Sequence, residues 1–354
     1  MAGFFARILG TKQDRLALSA GHGRIEKVRI LLDKGAAPNS ASGRGILPLV
    51  AAASGGHIEV VKALLDAGGD PNTQQPESQT ALAAAASGGH MEAVRILLEA
   101  GADPNACAAG VKSPLEAAAS GGHLEVVQAL FDAGADVAMW GDRALANTVS
   151  YGPDNPQLVG ALLRAGADPN ARFTGEAGHP TVLSQAAGHG QSETVILLLE
   201  AGADPYAGLV GEDWKTVRQG TLLGRSGRID SLPDFGKISM IRAACKGHTD
   251  VVRAMLAHGV DPNRRDHRTG ATALWFAALL GHEEIVGLLL KAGADALVTG
   301  NLSFNMPPAS QVPAGMRLPL TKGTALEVAE HAGYDEIAGL LRSAAASGAS
   351  RPLS

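Results

Sequence analysis

A glycine that follows a short apolar stretch returns along this chain at nearly constant intervals. It stands at eight positions, Gly35, Gly68, Gly101, Gly134, Gly166, Gly202, Gly259 and Gly293. The successive intervals are 33, 33, 33, 32, 36, 57 and 34 residues. A fixed period near 33 residues is typical of a solenoid, in which each repeat contacts only its neighbours. The period therefore predicts a stack of similar units instead of one central core.

Each period contains the signals for two short helices and a turn. Thr80 stands where a side-chain oxygen can cap the first helix, and in the next repeat Pro114 fits the first helical position. The recurring glycine suits the left-handed residue that ends a helix, and the Asp-Pro-Asn that follows it favours a turn. The second helix is indicated by apolar residues at helical spacing, as in Val94, Leu97 and Leu98.

The phrase T-x-L-x-x-A-A-x-x-G-H, followed by L-L-x-A-G-A-D-P-N, spans Thr80 to Asn105. It resembles the ankyrin repeat, and degraded copies cover roughly residues 15–342 apart from two insertions. The resemblance implies an all-α ankyrin-repeat solenoid of about nine helix-turn-helix units, whose function is to bind another protein. The histidine of the family's Thr-Pro-Leu-His tetrapeptide is replaced in this chain, for example by Ala83 and Trp275.

The repeat pattern and its interruptions predict the organisation of the chain. We expect an N-terminal extension (1–14), repeats one to six (15–206), an insertion (207–237), repeats seven and eight (238–298), a second insertion (299–320), a capping repeat (321–344) and a flexible tail (345–354). Repeat five is the weakest match, because Tyr151 to Pro156 replace its Gly-Gly-His. Four prolines in the second insertion argue against regular structure there.

Composition and charge narrow the classes of function. Aromatic residues make up 4% of the 354 residues, while 45 are glycine, which favours thin repeated units. Residues 1–206 carry 14 Lys+Arg and 21 Asp+Glu, a net charge of −7, whereas residues 207–354 carry 16 and 14, a net charge of +2. Neither half is basic enough to predict a nucleic-acid surface. With no membrane span, no signal peptide and two distant cysteines, we expect a cytoplasmic protein without disulfides.

The repeated polar residues have structural interpretations. Equivalent positions in stacked repeats are roughly 10 Å apart, whereas metal ligands converge to about 2 Å from one ion. We therefore expect structural histidines at the start of the second helices, and no metal or other cofactor. The aspartates that follow the recurring glycines, such as Asp103 and Asp261, are expected to stabilise turns. No catalytic residues are predicted, so we do not expect an enzyme.

Repeat eight departs from its neighbours at the positions that face the partner in ankyrin repeats. Leu279 and Leu280 stand where repeats two to four have Ser-Gly, and Trp275 replaces the family histidine. Large apolar groups there predict a binding hot spot. The alternative interpretation is that an insertion folds over these side chains and buries them.

A basic segment lies between repeats seven and eight. It contains Arg264, Arg265, His267 and Arg268, and it predicts either a contact with an acidic partner or a solvated hairpin tip. With the apolar residues of repeat eight, it places the candidate partner site on the concave side of repeats six to eight.

Two classes of function remain open at this level. The first is a protein-interaction module, monomeric without its partner, which could be a scaffold, an inhibitor or immunity protein, or an effector. The second is a small-molecule-binding or enzymatic role in a pocket that the two insertions form with Trp214 and Trp275.

Overall fold

The computed structural model describes residues 11–150, 154–173, 180–207, 238–267, 269–301, 320 and 322–348. The chain divides into two compact units, Met1–Ala171 and Arg172–Ser354. In both units, the described residues form pairs of short helices that follow one another along the chain.

The first unit contains five helix pairs among the residues that the structure describes. Their helices are α1 (Lys12–Gly21) and α2 (Ile25–Asp33), α3 (Pro48–Ser54) and α4 (Ile58–Asp66), α5 (Ala81–Ser87) and α6 (Met91–Glu99), α7 (Pro114–Gly121) and α8 (Leu124–Asp132), and α9 (Val137–Ser150) and α10 (Pro156–Arg164).

The second unit contributes four further pairs from its described part, together with a two-stranded ribbon. The elements are α11 (Val182–His189) and α12 (Ser192–Glu200), α13 (Ser239–Lys246) and α14 (Thr249–Ala257), α15 (Ala273–Leu280) and α16 (Glu283–Lys291), β1 (Thr299–Asn301) and β2 (Lys322–Thr324), and α17 (Ala325–Ala332) and α18 (Asp335–Gly348).

Within each unit, the first helix of a pair packs on the first helix of the next pair, and second helices do the same. In α5, all residues from Ala81 to Ala86 are buried, and their small side chains allow close approach on both sides. The predicted cap is confirmed, since Oγ1 of Thr80 accepts a hydrogen bond from the amide of Ala83 at 3.0 Å. Ser113 forms a reciprocal capping box with Glu116 ahead of α7.

Helix α9 departs from the other first helices. It begins at Val137, directly after the turn, and is 14 residues long where the other first helices have 7 to 10. A helical extension thus replaces the loop that precedes the first helix elsewhere in the first unit. Arg143 in this helix lies 2.7 Å from Oε1 of the buried Glu116. The segment 151–156, which replaces the Gly-Gly-His of repeat five, falls partly outside the described residues.

The histidines of the Gly-His motif hold neighbouring repeats together. Nε2 of each donates to a carbonyl at the end of the preceding first helix: His57 to Gly21 at 3.1 Å, His90 to Ser54 at 3.1 Å, His123 to Ser87 at 3.2 Å, His248 to Gly188 at 3.1 Å and His282 to Cys245 at 3.4 Å. The structural interpretation of these residues is confirmed.

A glycine in the preceding repeat makes room for each ring. Gly56 has φ +63°, and a Cβ there would lie 2.6 Å from Nδ1 of His90. Gly23, Gly89, Gly190 and Gly247 repeat the arrangement beneath the other four histidines. Asn155 replaces the histidine above Gly122, and Tyr334 replaces it above Gly281.

Two glycine substitutions separate this contact from backbone strain. Gly56→Ala and Gly68→Ala both place a side chain at positive φ, which costs about 1–2 kcal/mol, but Gly68 has nothing within 4 Å of its added Cβ. We expect Gly56→Ala to lower the free energy of unfolding more, because its methyl group also displaces His90. Urea titration measures both variants. In a His90→Ala background the difference between them should vanish, and its persistence would contradict this role of the ring.

The histidine contacts between repeats also predict that the free energy of unfolding depends on pH. Burial lowers the pKa of His282 from its ordinary value of 6.5, so the folded chain binds this proton more weakly than the unfolded chain. The contribution of His282 to the free energy of unfolding is therefore complete at a pH above this ordinary pKa, and it decreases as the pH falls below it. His282→Asn should flatten the change in unfolding free energy between about pH 7.5 and about pH 5.5, measured by urea titration. An unchanged slope would contradict this assignment.

Candidate interaction surface

The turns between repeats are joined by a second ladder, formed by asparagine. In the first unit, Oδ1 of Asn72 accepts from the amide of Asp103 at 2.8 Å, and its Nδ2 donates to the carbonyl of Gly101 at 2.9 Å. Asn39 and Asn105 make the same pair of bonds to the repeats that follow them. The predicted turn role of the aspartates is confirmed, since Oδ1 of Asp103 accepts from the amide of Asn105 at 2.8 Å.

A tyrosine takes the place of this asparagine in repeat six. The hydroxyl of Tyr206 accepts a hydrogen bond from the amide of Asp261 at 2.7 Å, although the two residues are 55 positions apart. The helix pairs on either side of residues 208–237 also pack directly on each other, α11 on α13 and α12 on α14. Repeats six and seven are therefore adjacent in the stack despite the 57-residue interval between their glycines.

Trp275 is buried, with none of its surface exposed. Its Nε1 donates to the carbonyl of Gly323 in β2 at 2.8 Å. Gly300 in β1 lies against the indole, because a Cβ there would approach a ring atom to 2.6 Å. The ribbon pairs Gly300 with Gly323, so it covers the ring from both strands.

This burial favours the self-covering alternative over a partner contact at Trp275. Leu279 is also buried, at 5% exposed, while Leu280 is half-buried. The self-covering alternative describes Trp275, and Gly300 and Gly323 at the two ends of the second insertion provide the cover. Sequence reasoning raised this cover as an alternative but could not identify Gly300 and Gly323, which lie 25 and 48 positions from the tryptophan.

The basic segment after Asn263 is ordered around a buried acid. Oδ2 of Asp266 accepts from the amide and the hydroxyl of Thr269 at 2.9 and 2.8 Å, so this carboxylate is bound within its own loop. Arg264, Arg265 and His267 are exposed on the same loop. The guanidinium of Arg264 lies over the ring of Tyr206, with Cζ 5.3 Å from the centroid. Arg268 and Trp214 lie outside the described residues.

Two further cations lie on the first helix of repeat seven and were missed from the sequence. Arg242 is half-buried and its side chain lies over Gly188, whose added Cβ would meet Nε at 2.4 Å. Lys246 is exposed at the C-terminal end of the same helix. The corresponding positions in repeat three are Ala84 and Gly88, and comparison of repeats would have shown the change in charge.

Ion pairs occur on first helices, as between Arg143 and Glu116, and on second helices. On the second helices, Arg253 pairs with Glu284 at 2.9 Å and Arg95 pairs with Glu92 at 2.7 Å. Within the described part of the chain, no carboxylate lies within 4.0 Å of Lys246, Arg264 or Arg265. The cations on the turn and first-helix side of repeat seven thus leave positive charge open to solvent.

Catalytic chemistry has little support in the described ranges. They contain no group of three or more His, Cys, Asp and Glu side chains that could hold a metal ion. Burial raises the pKa of the Cys107 thiol, which disfavours the nucleophilic thiolate.

A family model described as ankyrin repeats (three copies) matches residues 10–75, 49–140, 115–209 and 219–299. These matches cover most of the chain. The protein belongs to the ankyrin repeat family. The predicted all-α repeat solenoid is confirmed.

One curated relative of this ankyrin protein is the E3 ubiquitin-protein ligase XBAT33 of Arabidopsis thaliana, which is 33% identical over 84 residues. The matched region is 24% of this chain and 16% of that protein. The chain therefore spans a small part of the relative. Across the residues that the structure describes, no helix has the length and apolar character needed to cross a membrane.

Burial of Trp275 predicts a defect in stability. Trp275→Ala should lower the free energy of unfolding by about 3–5 kcal/mol, since it leaves a cavity beneath the ribbon. Trp275→Phe keeps most of the ring volume and loses the bond to Gly323, which should cost about 1–3 kcal/mol. Chemical unfolding measures both. A Trp275→Ala protein as stable as the wild type would contradict the cover described here.

Proposed function

We propose that this protein is a non-enzymatic interaction module that binds an acidic partner protein on the turn and first-helix side of repeats six to eight. The main supporting observation is the set of exposed cations of repeat seven, Lys246, Arg264 and Arg265, which have no carboxylate within 4.0 Å among the described residues. Membership of a family that generally binds other proteins supports the class of function. The half-buried Leu280 supplies an apolar contact beside the charged residues.

A protein partner explains this surface better than nucleic acid does. Single-stranded nucleic acid is bound by aromatic side chains interleaved with cations. In the described part of the second unit, Trp275 is buried and Tyr206 lies beneath Arg264. The exposed cations are separate point charges, which suit carboxylates on a protein surface. We further propose that the protein acts in the cytoplasm and is monomeric until it binds.

The rival function is a small-molecule or enzymatic site beside the insertions. It would be favoured by a metabolite that raises the melting temperature of the full chain in a thermal-shift screen. Protection by a metabolite, together with loss of protection on substitution of Trp214, would replace the interaction proposal.

The proposal is tested by charge reversal. The full chain and its Arg264→Glu/Arg265→Glu variant are used for affinity capture, and a protein lost from the variant is then purified and titrated directly. Because exposed charges guide encounter, we expect association to slow about tenfold at low salt. The difference should shrink as ionic strength rises, because salt screens exposed charges.

The matched control is Lys27→Glu/Lys62→Glu, which makes the same change in net charge on second helices of the first unit. This variant should associate like the wild type. Ser87→Ala, on the first helix of repeat three, should also bind normally. A partner that ignores both arginines and depends on Ser87 instead would place the interaction on repeats two to four and contradict the proposal.

A further inference from the structure

We propose that Tyr206 is a positioning residue that holds Arg264 in place for a carboxylate of the partner. The inference rests on the proposed function, because it concerns the same basic surface. It arises from two departures from the repeat pattern that contact each other.

The first departure is Tyr206 itself. The turn ladder uses asparagine at Asn39, Asn72, Asn105 and Asn263, and asparagine both accepts from and donates to the following repeat. Tyrosine can supply the accepting oxygen at the amide of Asp261. An asparagine would therefore be sufficient for the hydrogen bond between the turns, and the aromatic ring of Tyr206 is not required for it.

The second departure is Arg264. In the other repeats that have asparagine or tyrosine at the ladder position, the residue that follows is small, namely Ser40, Thr73, Ala106, Ala171 and Ala207. In repeat seven it is arginine, and its guanidinium lies over the additional ring. One tyrosine thus contacts both ends of the Asp261–Arg264 turn, at the first amide through its hydroxyl and at the last side chain through its ring.

The ring contact restricts a side chain that would otherwise sample many rotamers. An exposed arginine loses rotamer entropy when it binds a carboxylate, and restraint before binding reduces that loss. A guanidinium that lies with its face on an aromatic ring keeps its N–H groups at the edge, where they can donate to a carboxylate. Arg265 has no such contact among the described residues, so the two arginines should contribute unequally.

Two substitutions at one position separate the ladder bond from the ring. Tyr206→Asn restores the residue that the other repeats use, which retains the ladder and removes the ring. Tyr206→Phe removes the hydroxyl and retains the ring. In the full chain, we expect Tyr206→Phe to lower the melting temperature and Tyr206→Asn to leave it near that of the wild type. We expect the opposite for affinity, which Tyr206→Asn should weaken and Tyr206→Phe should leave nearly unchanged.

The binding probe is a fluorescein-labelled glutamate peptide of about ten residues, titrated by fluorescence anisotropy at low and high salt. We expect Tyr206→Asn to weaken binding about two- to fivefold, the range for an exposed cation–π contact. In an Arg264→Ala background, Tyr206→Asn should have no further effect, because the tyrosine acts through that arginine. By NMR, the side-chain protons of Arg264 should show a ring-current shift that Tyr206→Asn abolishes.

The outcomes distinguish this inference from the proposed function. Wild-type binding that Arg264→Ala weakens and Tyr206→Asn leaves unchanged would overturn the positioning role alone. An equal loss from Tyr206→Asn with and without Arg264 would also overturn it, since the tyrosine would then act elsewhere. Failure of the wild type to bind the glutamate peptide would overturn the acidic-partner proposal and this inference with it, even if the ring-current shift is present.

Discussion

The fold depends on the contact between a histidine ring and a glycine of the preceding repeat. The ring of His90 lies where a Cβ on Gly56 would stand, and its Nε2 satisfies the carbonyl of Ser54 at the end of a first helix. A carbonyl in the last turn of a helix lacks an intrahelical hydrogen-bond donor, and every repeat contains such carbonyls. The histidine supplies the missing donor. Because each first helix ends with such carbonyls, the same histidine–glycine contact can recur along the stack.

Contacts between neighbours also determine where the chain tolerates change. Repeats six and seven keep the histidine bond, from His248 to Gly188, although 60 residues separate the two positions. The ladder bond at the same junction is kept by Tyr206. A long segment can therefore enter between two repeats without altering the surfaces that stack, provided that it leaves and rejoins at the turn.

Features that belong to a single repeat could be predicted from the sequence, and features that join distant residues could not. The period, the caps at Thr80 and Ser113, and the structural histidines follow from local patterns that recur with fixed spacing. The burial of Trp275 was open only as an alternative, because it depends on a ribbon whose two glycines come from opposite ends of an insertion. Helix α9 was missed because Asp136 caps it, with Oδ1 accepting from the amide of Met139 at 3.0 Å, whereas the corresponding aspartate of other repeats lies in the turn.

The same distinction explains why the charged surface was identified only in part. The exposed arginines after Asn263 are contiguous in sequence, so their clustering was evident. Lys246 precedes Arg264 by 18 positions, and its significance appears only when the carboxylates around each cation are known. On second helices, residues three or four positions apart neutralise each other, as Arg95 and Glu92 do. Residues in the turns lack that helical spacing. A cation in a turn therefore has no carboxylate placed beside it by the helix, and a partner can supply one.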